Sequence, residues 1–316
     1  MKKLWVVPTI LMGMFILVRP ASATLLSSVD YVSWFAVPEN IPRATLWDLQ
    51  PNSITDLNTP FSMANSGMNV LRRGSAIYYT TDAGIVKQGI GQTETRVLRD
   101  GSGYVFVVGQ GTKMLINNTP YNRPFIFDVY TKKARSLKPR MKAVHAAEFA
   151  NGGKTLAILA NNMKDEQKLF VSQGDPSTTR QIDLPVGATK CTKVAFSPEG
   201  TRIALICEWS IAGVGADTSV FTANVNGQTD SNFRRKTVET LTPVSIGWTS
   251  NARLIVIGYE PESLEQLLDV SIYEYIVDRR AKVVTTTRLV ENMVPENYFD
   301  GQPSVFFTPQ HIERNG

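Results

Sequence analysis

The sequence predicts an all-β chain folded as a single β-propeller of about six four-stranded blades. A short unit recurs along most of its length. Glu148–Ile158, Ala195–Leu205 and Gly247–Val256 each run through an aromatic residue (Phe149, Phe196, Trp248), a polar turn and an apolar stretch. A second half of the unit follows each hairpin, as an extended run that closes on a leucine. The closing residues are Leu98, Leu137, Leu184, Leu241 and Leu289. Their spacing matches the roughly 40–50 residues of a propeller blade. Finally, Thr, Val, Ile, Phe and Tyr sit in short runs separated by Gly, Asn, Asp and Pro, which is strand-and-turn punctuation.

The extended runs are Ile77–Thr80, Phe125–Tyr130, Leu169–Ser172, Ser219–Ala223 and Val270–Tyr275. An isolated four-stranded sheet exposes two apolar faces, and radial stacking buries both while leaving only short edges. Central strands should therefore be continuously apolar, as Ile203–Ile206 and Leu254–Ile257 are. The first hairpin is placed at Val105–Val108, a Gly109–Thr112 turn and Lys113–Ile116; a competing register starts it at Leu98. Four blades are clear over 99–289, and 50–98 makes a weaker fifth. The remaining pieces, Asp30–Val37 and Thr45–Leu49 at one end and Ser304–Pro309 at the other, are expected to share a composite blade that closes the ring. Six blades result, with counts of five or seven also compatible. The best helical pattern is Pro261–Asp269, with Leu264, Leu267 and Leu268 on one side.

Residues 1–23 have the form of an export signal, leaving 24–316 as the propeller domain. Lys2 and Lys3 precede an uncharged apolar run, Leu4–Val18. Arg19-Pro20 ends it, and Ala21-Ser22-Ala23 is a small-residue cleavage site. The alternative is a retained anchor, but the run is shorter than the about 20 residues a bilayer span needs. Removing this segment takes away Lys2, Lys3 and Arg19. The formal charge of +5, from 33 Lys and Arg against 28 Asp and Glu, then falls to +2. The remaining basic groups (Arg72-Arg73, Lys132-Lys133, Lys138–Lys142, Arg234–Lys236, Arg279-Arg280) are scattered, as solvated loop and edge-strand charges are. Nucleic-acid binding would interleave basic and aromatic residues on one face, and no such pattern exists. No later stretch is long and apolar enough to span a membrane.

The segment Phe196-Ser197-Pro198-Glu199-Gly200-Thr201-Arg202-Ile203-Ala204 resembles the repeat of TolB-type, WD40-like propellers. There an aromatic-Ser-Pro-Asp-Gly-Lys segment precedes a small-residue apolar strand. The copies at Phe149 and Trp248 are degenerate versions, and the resemblance covers roughly 99–289. It implies blades and leaves the activity open, since such repeats occur in enzymes, scaffolds and receptors. The separate N-terminal domain of TolB has no counterpart here. The resemblance is thus to a family of similar build and not to TolB itself.

Few residues carry chemistry. Ser197–Thr201 has the form of a three-residue hairpin loop with Gly200 left-handed. Counting outward from it sets Cys191 opposite Cys207, at a hydrogen-bonded site. An exported protein would join them as a disulfide; the alternative is two buried thiols. No histidine near them completes a metal site. The two histidines, His145 in a linker and His311 near the C-terminus, have no Gly-x-Ser-x-Gly elbow to serve. The Gly-rich pieces at 101–103, 109–111 and 213–215 are turns, and Asp100, Asp128 and Asp217 are turn acids. No carboxylate pair is singled out, which leaves a glycosidase-like arrangement open. Of the mature tryptophans (Trp34, Trp47, Trp209, Trp248), Trp248 takes the aromatic position of the repeat. Trp209 instead precedes a glycine-rich loop. Trp209, Ser210, Ile211 and Asp217 form the candidate partner-binding loop, because long loops on rigid scaffolds carry recognition.

The expected function is that of an exported, non-catalytic propeller without cofactor, periplasmic or secreted. It would bind protein partners in the bacterial envelope, as part of an envelope or secretion assembly. The alternative is an exported propeller enzyme, a glycan hydrolase or lactonase. Several acids converging on the channel would favour the enzyme; an apolar, uncharged lining would favour the scaffold.

Overall fold

The computed structural model of the chain describes residues 71–290, apart from 74, 90–91, 120, 122, 212–214, 226–232, 237–240 and 260–269. It also describes the strand backbones at 32–36, 43–48, 53–56 and 304–307. The signal segment, His311 and the Pro261–Asp269 pattern lie outside the described residues.

Six four-stranded antiparallel sheets make up the fold. Blade 1 takes strands from both ends of the chain: β1 (Val32–Ala36), β2 (Arg43–Asp48) and β3 (Ser53–Asp56) from the N-terminal side, and β24 (Ser304–Phe307), paired to β1, from the C-terminal side. Blade 2 is β4 (Leu71–Arg73), β5 (Ala76–Thr81), β6 (Gly84–Gly89) and β7 (Thr95–Asp100). Blade 3 is β8 (Tyr104–Gln110), β9 (Lys113–Asn118), β10 (Phe125–Asp128) and β11 (Lys133–Ser136). Blade 4 is β12 (Val144–Ala150), β13 (Thr155–Asn161), β14 (Gln167–Ser172) and β15 (Arg180–Ile182). Blade 5 is β16 (Ala188–Phe196), β17 (Arg202–Ile211), β18 (Gly215–Asn224) and β19 (Arg234–Lys236). Blade 6 is β20 (Thr242–Ser250), β21 (Arg253–Tyr259), β22 (Val270–Val277) and β23 (Val283–Val290). The first strands of the blades, β4, β8, β12, β16, β20 and β24, neighbour one another in chain order and form the inner layer.

The recurring aromatic is the joint between blades. Phe149 packs among Val108, Leu115 and Ile126 of blade 3. Phe196 packs on Ala157, Leu159 and Leu169 of blade 4. Trp248 packs on Ala204 and Ile206 of blade 5, and its indole N–H donates to the Ala195 carbonyl at 3.3 Å. All three are fully buried. The central strands are buried on both sides, as in Leu156–Ala160 and Ile203–Cys207, because each is sandwiched between neighbouring blades.

The strand assignments differ from the sequence expectation in three places. Ile77–Thr80 lies in the second strand of blade 2, not the third, because Gly84-Ile85-Val86 begins a further strand after the Asp82-Ala83 turn. Ser53–Asp56 belongs to blade 1 and not to blade 2. The turn of the blade 3 hairpin is Gly111-Thr112, two residues shorter than expected, since Gln110 pairs with Lys113.

Outer edges are blunted in different ways. β11, β15 and β19 are short and carry Lys or Arg. The longer β7 and β23 are bulged, at Leu98 and at Val284 and Leu289. Both devices discourage edge-to-edge pairing. Arg72-Arg73 is an exception to the expected loop or edge placement, since it lies on inner strand β4.

Truncating a fully buried interblade ring should be costly. Phe196→Ala is expected to lower the unfolding free energy by about 3–5 kcal/mol, while Gln181→Ala on exposed β15 changes it by no more than about 0.5 kcal/mol. Urea titration of both variants checks this. The Tyr275 hydroxyl is buried with no hydrogen-bond partner among the described residues. Tyr275→Phe should therefore leave stability unchanged or raise it by up to about 1 kcal/mol, read as the thermal midpoint.

Candidate functional site

The two ends of the propeller are built differently. In a four-stranded antiparallel blade, the first and third connections lie at one end, here termed the hairpin end. The second connection and the crossover to the next blade lie at the other, the crossover end.

At the hairpin end the first turns of successive blades are bonded to each other. The Gly153 N–H donates to the Gln110 Oε1 of blade 3 at 3.2 Å, and the Asn151 N–H to the Pro198 carbonyl of blade 5 at 3.0 Å. The Glu199 N–H donates to Asn251 Oδ1 of blade 6 at 3.3 Å. The Arg202 guanidinium donates to the carbonyls of Asn251 and Val277. Third connections join in: Thr222 Oγ1 donates to the Ala281 carbonyl at 2.6 Å and Asn224 Nδ2 to the Arg279 carbonyl at 2.9 Å. The contacts are tight enough to demand glycine. A Cβ on Gly111 (φ 60°) would lie 2.8 Å from the Gly152 carbonyl oxygen, and one on Gly153 (φ 82°) 2.8 Å from that of Gln110. Asp128 is a turn acid, as expected. Its carboxylate accepts from the N–H groups of Tyr130 and Thr131, from Thr112 and from Lys113. Those bonds outweigh its partial burial and hold its pKa at about 2.

The crossover end is different. Three of the six large apolar side chains exposed among the described residues lie there, on the connections of adjacent blades, whereas one, Tyr130, lies at the hairpin end between β10 and β11. The three are Tyr121 (69% exposed) between β9 and β10, Met163 (58%) between β13 and β14, and Val186 (97%) on the crossover into blade 5.

The candidate loop of blade 5 is also at this end, but it is a hairpin ribbon and not a loop. β17 runs to Ile211 and β18 begins at Gly215, so Ser210 pairs with Ala216 and Trp209 with Asp217. The matching strands of blade 4 stop at Asn161 and Gln167, level with Glu208 and Thr218. Continued pairing of alternating polar and apolar residues carries the blade 5 ribbon three pairs further out. Trp209 is half-buried at its base. The Arg235 guanidinium lies 3.5 Å from the ring centroid. Arg235 also pairs with Asp217 at 3.1 Å and donates to Ser219 at 3.1 Å. Gly187 sits so close to the indole edge that a Cβ there would be 2.3 Å from Nε1. Trp209 and Asp217 thus brace the ribbon, while Ser210 is exposed on it.

Cys191 and Cys207 are opposite one another and joined as a disulfide, with Cα atoms 3.9 Å apart. The register that achieves this is not the one counted from the sequence. Ser197 hydrogen-bonds to Arg202, giving a four-residue loop, and Phe196 pairs with Ile203. A bulge at Thr192 then restores the cysteine pairing. The site is also not the expected hydrogen-bonded kind. The Cys191 N–H and carbonyl both engage the Gln167 side-chain amide of blade 4, at 2.7 and 2.8 Å. They point away from β17, and this leaves the closer, non-bonded geometry that suits a cross-strand disulfide.

The Thr192 bulge has equivalents that the sequence did not reveal. β12, β16 and β20 each bulge four residues before their aromatic, at His145, Thr192 and Val244. No composition signal marks them, because a bulge depends on pairing with the next strand. His145 therefore lies on an inner strand and not in a linker, with Nε2 2.8 Å from Asn161 Oδ1. The six inner strands carry one carboxylate, Glu148. Desolvation pushes its pKa up to about 8. Among the described residues no group of three or more His, Cys, Asp or Glu is arranged to hold a metal ion. No helix among them is long and apolar enough to cross a membrane.

No protein-family model and no curated protein matches the sequence. Solved structures do match, at probability 1.00. Hsv2 of Kluyveromyces lactis, with loop 6CD replaced by a Gly-Ser linker, shares 12% identity over 83% of each chain at a TM-score of 0.55. TolB from Acinetobacter baumannii shares 11% identity over 82% of this chain and 66% of its own, at 0.53. The tricorn protease shares 12% over 74% of this chain but only 25% of its own length, at 0.52. The fold is that of the TolB- and WD40-like β-propellers. At these identities the likeness concerns the fold alone.

Glu148 makes stability depend on pH. Its folded pKa lies above the ordinary 4.5, so folding takes up a proton between about pH 4.5 and 8. Stability is greatest below that window and falls as pH rises through it. Glu148→Gln should flatten this slope, equalling the parent near pH 4 and exceeding it at pH 9, as thermal melts across pH will show.

Proposed function

We propose that the protein is an exported, non-catalytic propeller that binds other proteins in the bacterial envelope, as part of an envelope or secretion assembly. The reading rests chiefly on the contrast between its ends. At the hairpin end, turn groups are used to bond blade to blade. At the crossover end, Tyr121, Met163 and Val186 are left exposed on adjacent blades, beside a ribbon braced by Trp209, Asp217 and Arg235. Exposed apolar groups rimmed by polar ones on a rigid scaffold are the features of a docking surface. The disulfide suits an oxidising compartment outside the cytoplasm, in keeping with an export signal at 1–23. A metal-dependent propeller hydrolase would draw several carboxylates to the channel, whereas the inner strands supply Glu148 alone.

In this reading Ser210 and Ile211 meet the partner, and Trp209 and Asp217 hold the ribbon that presents them. Affinity capture from intact envelopes, followed by mass spectrometry, should recover a stoichiometric protein partner. Ser210→Asp combined with Met163→Asp should reduce that recovery without moving the thermal midpoint. Absence of any stoichiometric partner, together with turnover of a glycan or lactone, would sink the scaffold reading.

A further inference from the structure

Cations that are scattered in the sequence are gathered by the fold at the hairpin end. Lys132 and Lys133 lie at the third connection of blade 3, and Arg279, Arg280 and Lys282 at that of blade 6. Lys154 lies on the first turn of blade 4. All six are exposed. Among the described residues, none of the six takes part in an ion pair. The crossover end differs, since there Lys142 meets Asp165, Lys168 meets Asp183, and Lys190 stands across from Glu208.

The acids of the hairpin end are engaged elsewhere. Asp128 is the cross-strand neighbour of Lys133, but its carboxylate accepts from Lys113, Thr112 and two backbone N–H groups. Asp175 accepts from the N–H and hydroxyl of Ser177, and Asp278 from the N–H groups of Arg280 and Lys282. Arg202 lies close enough to Asp278 and Glu199 to feel both charges. Blades 3 to 6 therefore present an excess of positive charge at this end among the described residues. Tyr130, 77% exposed, stands two residues before Lys132. A tyrosine ring beside lysines suits a membrane interface, where the ring enters the headgroup layer and the cations meet phosphates.

The platform is rigid, because the first turns are bonded from blade to blade. Lys132-Lys133 and Arg279-Arg280 are held on blades 3 and 6, with two blades between them. Cations so placed do not converge on one small ligand, but they can meet a broad anionic surface together. We propose that the hairpin end rests on an anionic phospholipid bilayer, with Lys132, Lys133, Arg279 and Arg280 on the headgroups and Tyr130 at the interface. This goes beyond the protein-binding reading, and it turns the crossover end away from the bilayer, towards a partner.

The test uses the full mature chain and co-sedimentation with vesicles of phosphatidylcholine, alone or mixed with phosphatidylglycerol. The chain should bind the mixed vesicles, more weakly as salt rises, and leave pure phosphatidylcholine unbound. Lys132→Gln with Lys133→Gln, and Arg279→Gln with Arg280→Gln, should each weaken binding by about tenfold or more. Arg123→Gln with Lys164→Gln removes the same charge from the crossover end and should change binding by less than about twofold. Tyr130→Ser should weaken binding at every salt concentration, since burial of the ring is not screened. Thermal melts confirm that each variant folds. Absence of binding to the mixed vesicles would overturn the proposal. So would an equal loss in the Arg123 and Lys164 variant, which would trace binding to net charge alone. Tighter binding to a Glu/Asp-rich peptide than to the vesicles would make this end a protein site and would overturn it too. Vesicle binding is read without a protein partner, so its failure leaves the protein-binding reading standing. Capture of no envelope partner would likewise leave the vesicle result standing.

Discussion

The joint between one blade and the next is the interaction on which the structure depends. Each of the three joints from blade 3 to blade 6 couples an apolar contact to a polar one. Phe149, Phe196 and Trp248 bury against the preceding blade, and the turns that follow them bond to neighbouring turns. The aromatic removes area from water without direction. The turn bonds supply direction, because a backbone N–H beside a neighbouring carbonyl tolerates little displacement. Gly111 and Gly153 show how close that approach is, since neither site has room for a methyl group. A four-stranded sheet that is apolar on both faces needs such a joint on each side.

This coupling divides labour between the ends. Turn groups at the hairpin end are taken up in holding blades together. At the crossover end the bonds between blades are made by other groups, as where the Gln167 side chain meets the Cys191 backbone and where Lys138 on the crossover bonds to Ser177 and Thr179. The ribbon of blade 5 stands at this end. It extends beyond blade 4, yet its base is fixed by Arg235 lying between the Trp209 ring and the Asp217 carboxylate. Position there is set by packing and charge, while Ser210 just beyond is exposed.

Much of the architecture was legible in the sequence because a repeated blade repeats its pattern. The aromatic, the turn and the closing leucine recur, and apolar runs such as Ile203–Ile206 show that both faces of a strand are covered. Legibility failed where pairing, and not composition, decides. Ser197–Thr201 looked like a three-residue loop, and the cysteines appeared opposite by counting from it. The actual loop is one residue longer, and the Thr192 bulge compensates. Two departures cancelled, so the correct pair came from an incorrect register. The glycine-rich stretch after Trp209 looked like a loop because Gly and Ala carry little strand preference, but pairing across the ribbon overrides that preference. In blade 2, Tyr78-Tyr79 resembled the third-strand runs of other blades, and only the pairing of β5 with both β4 and β6 shows it to be a second strand.

The sequence alone determined that this chain is a series of similar four-stranded sheets and that Cys191 and Cys207 lie on the two strands of one hairpin. Those properties follow from local composition and period, which each blade states for itself. Tertiary structure decided which turns bond blade to blade, where the strands bulge, and that β24 pairs with β1 to complete a sheet from opposite ends of the chain. Such relations join residues far apart in the chain. They depend on strand register and on the direction each side chain takes from it, and a period of about one blade carries neither.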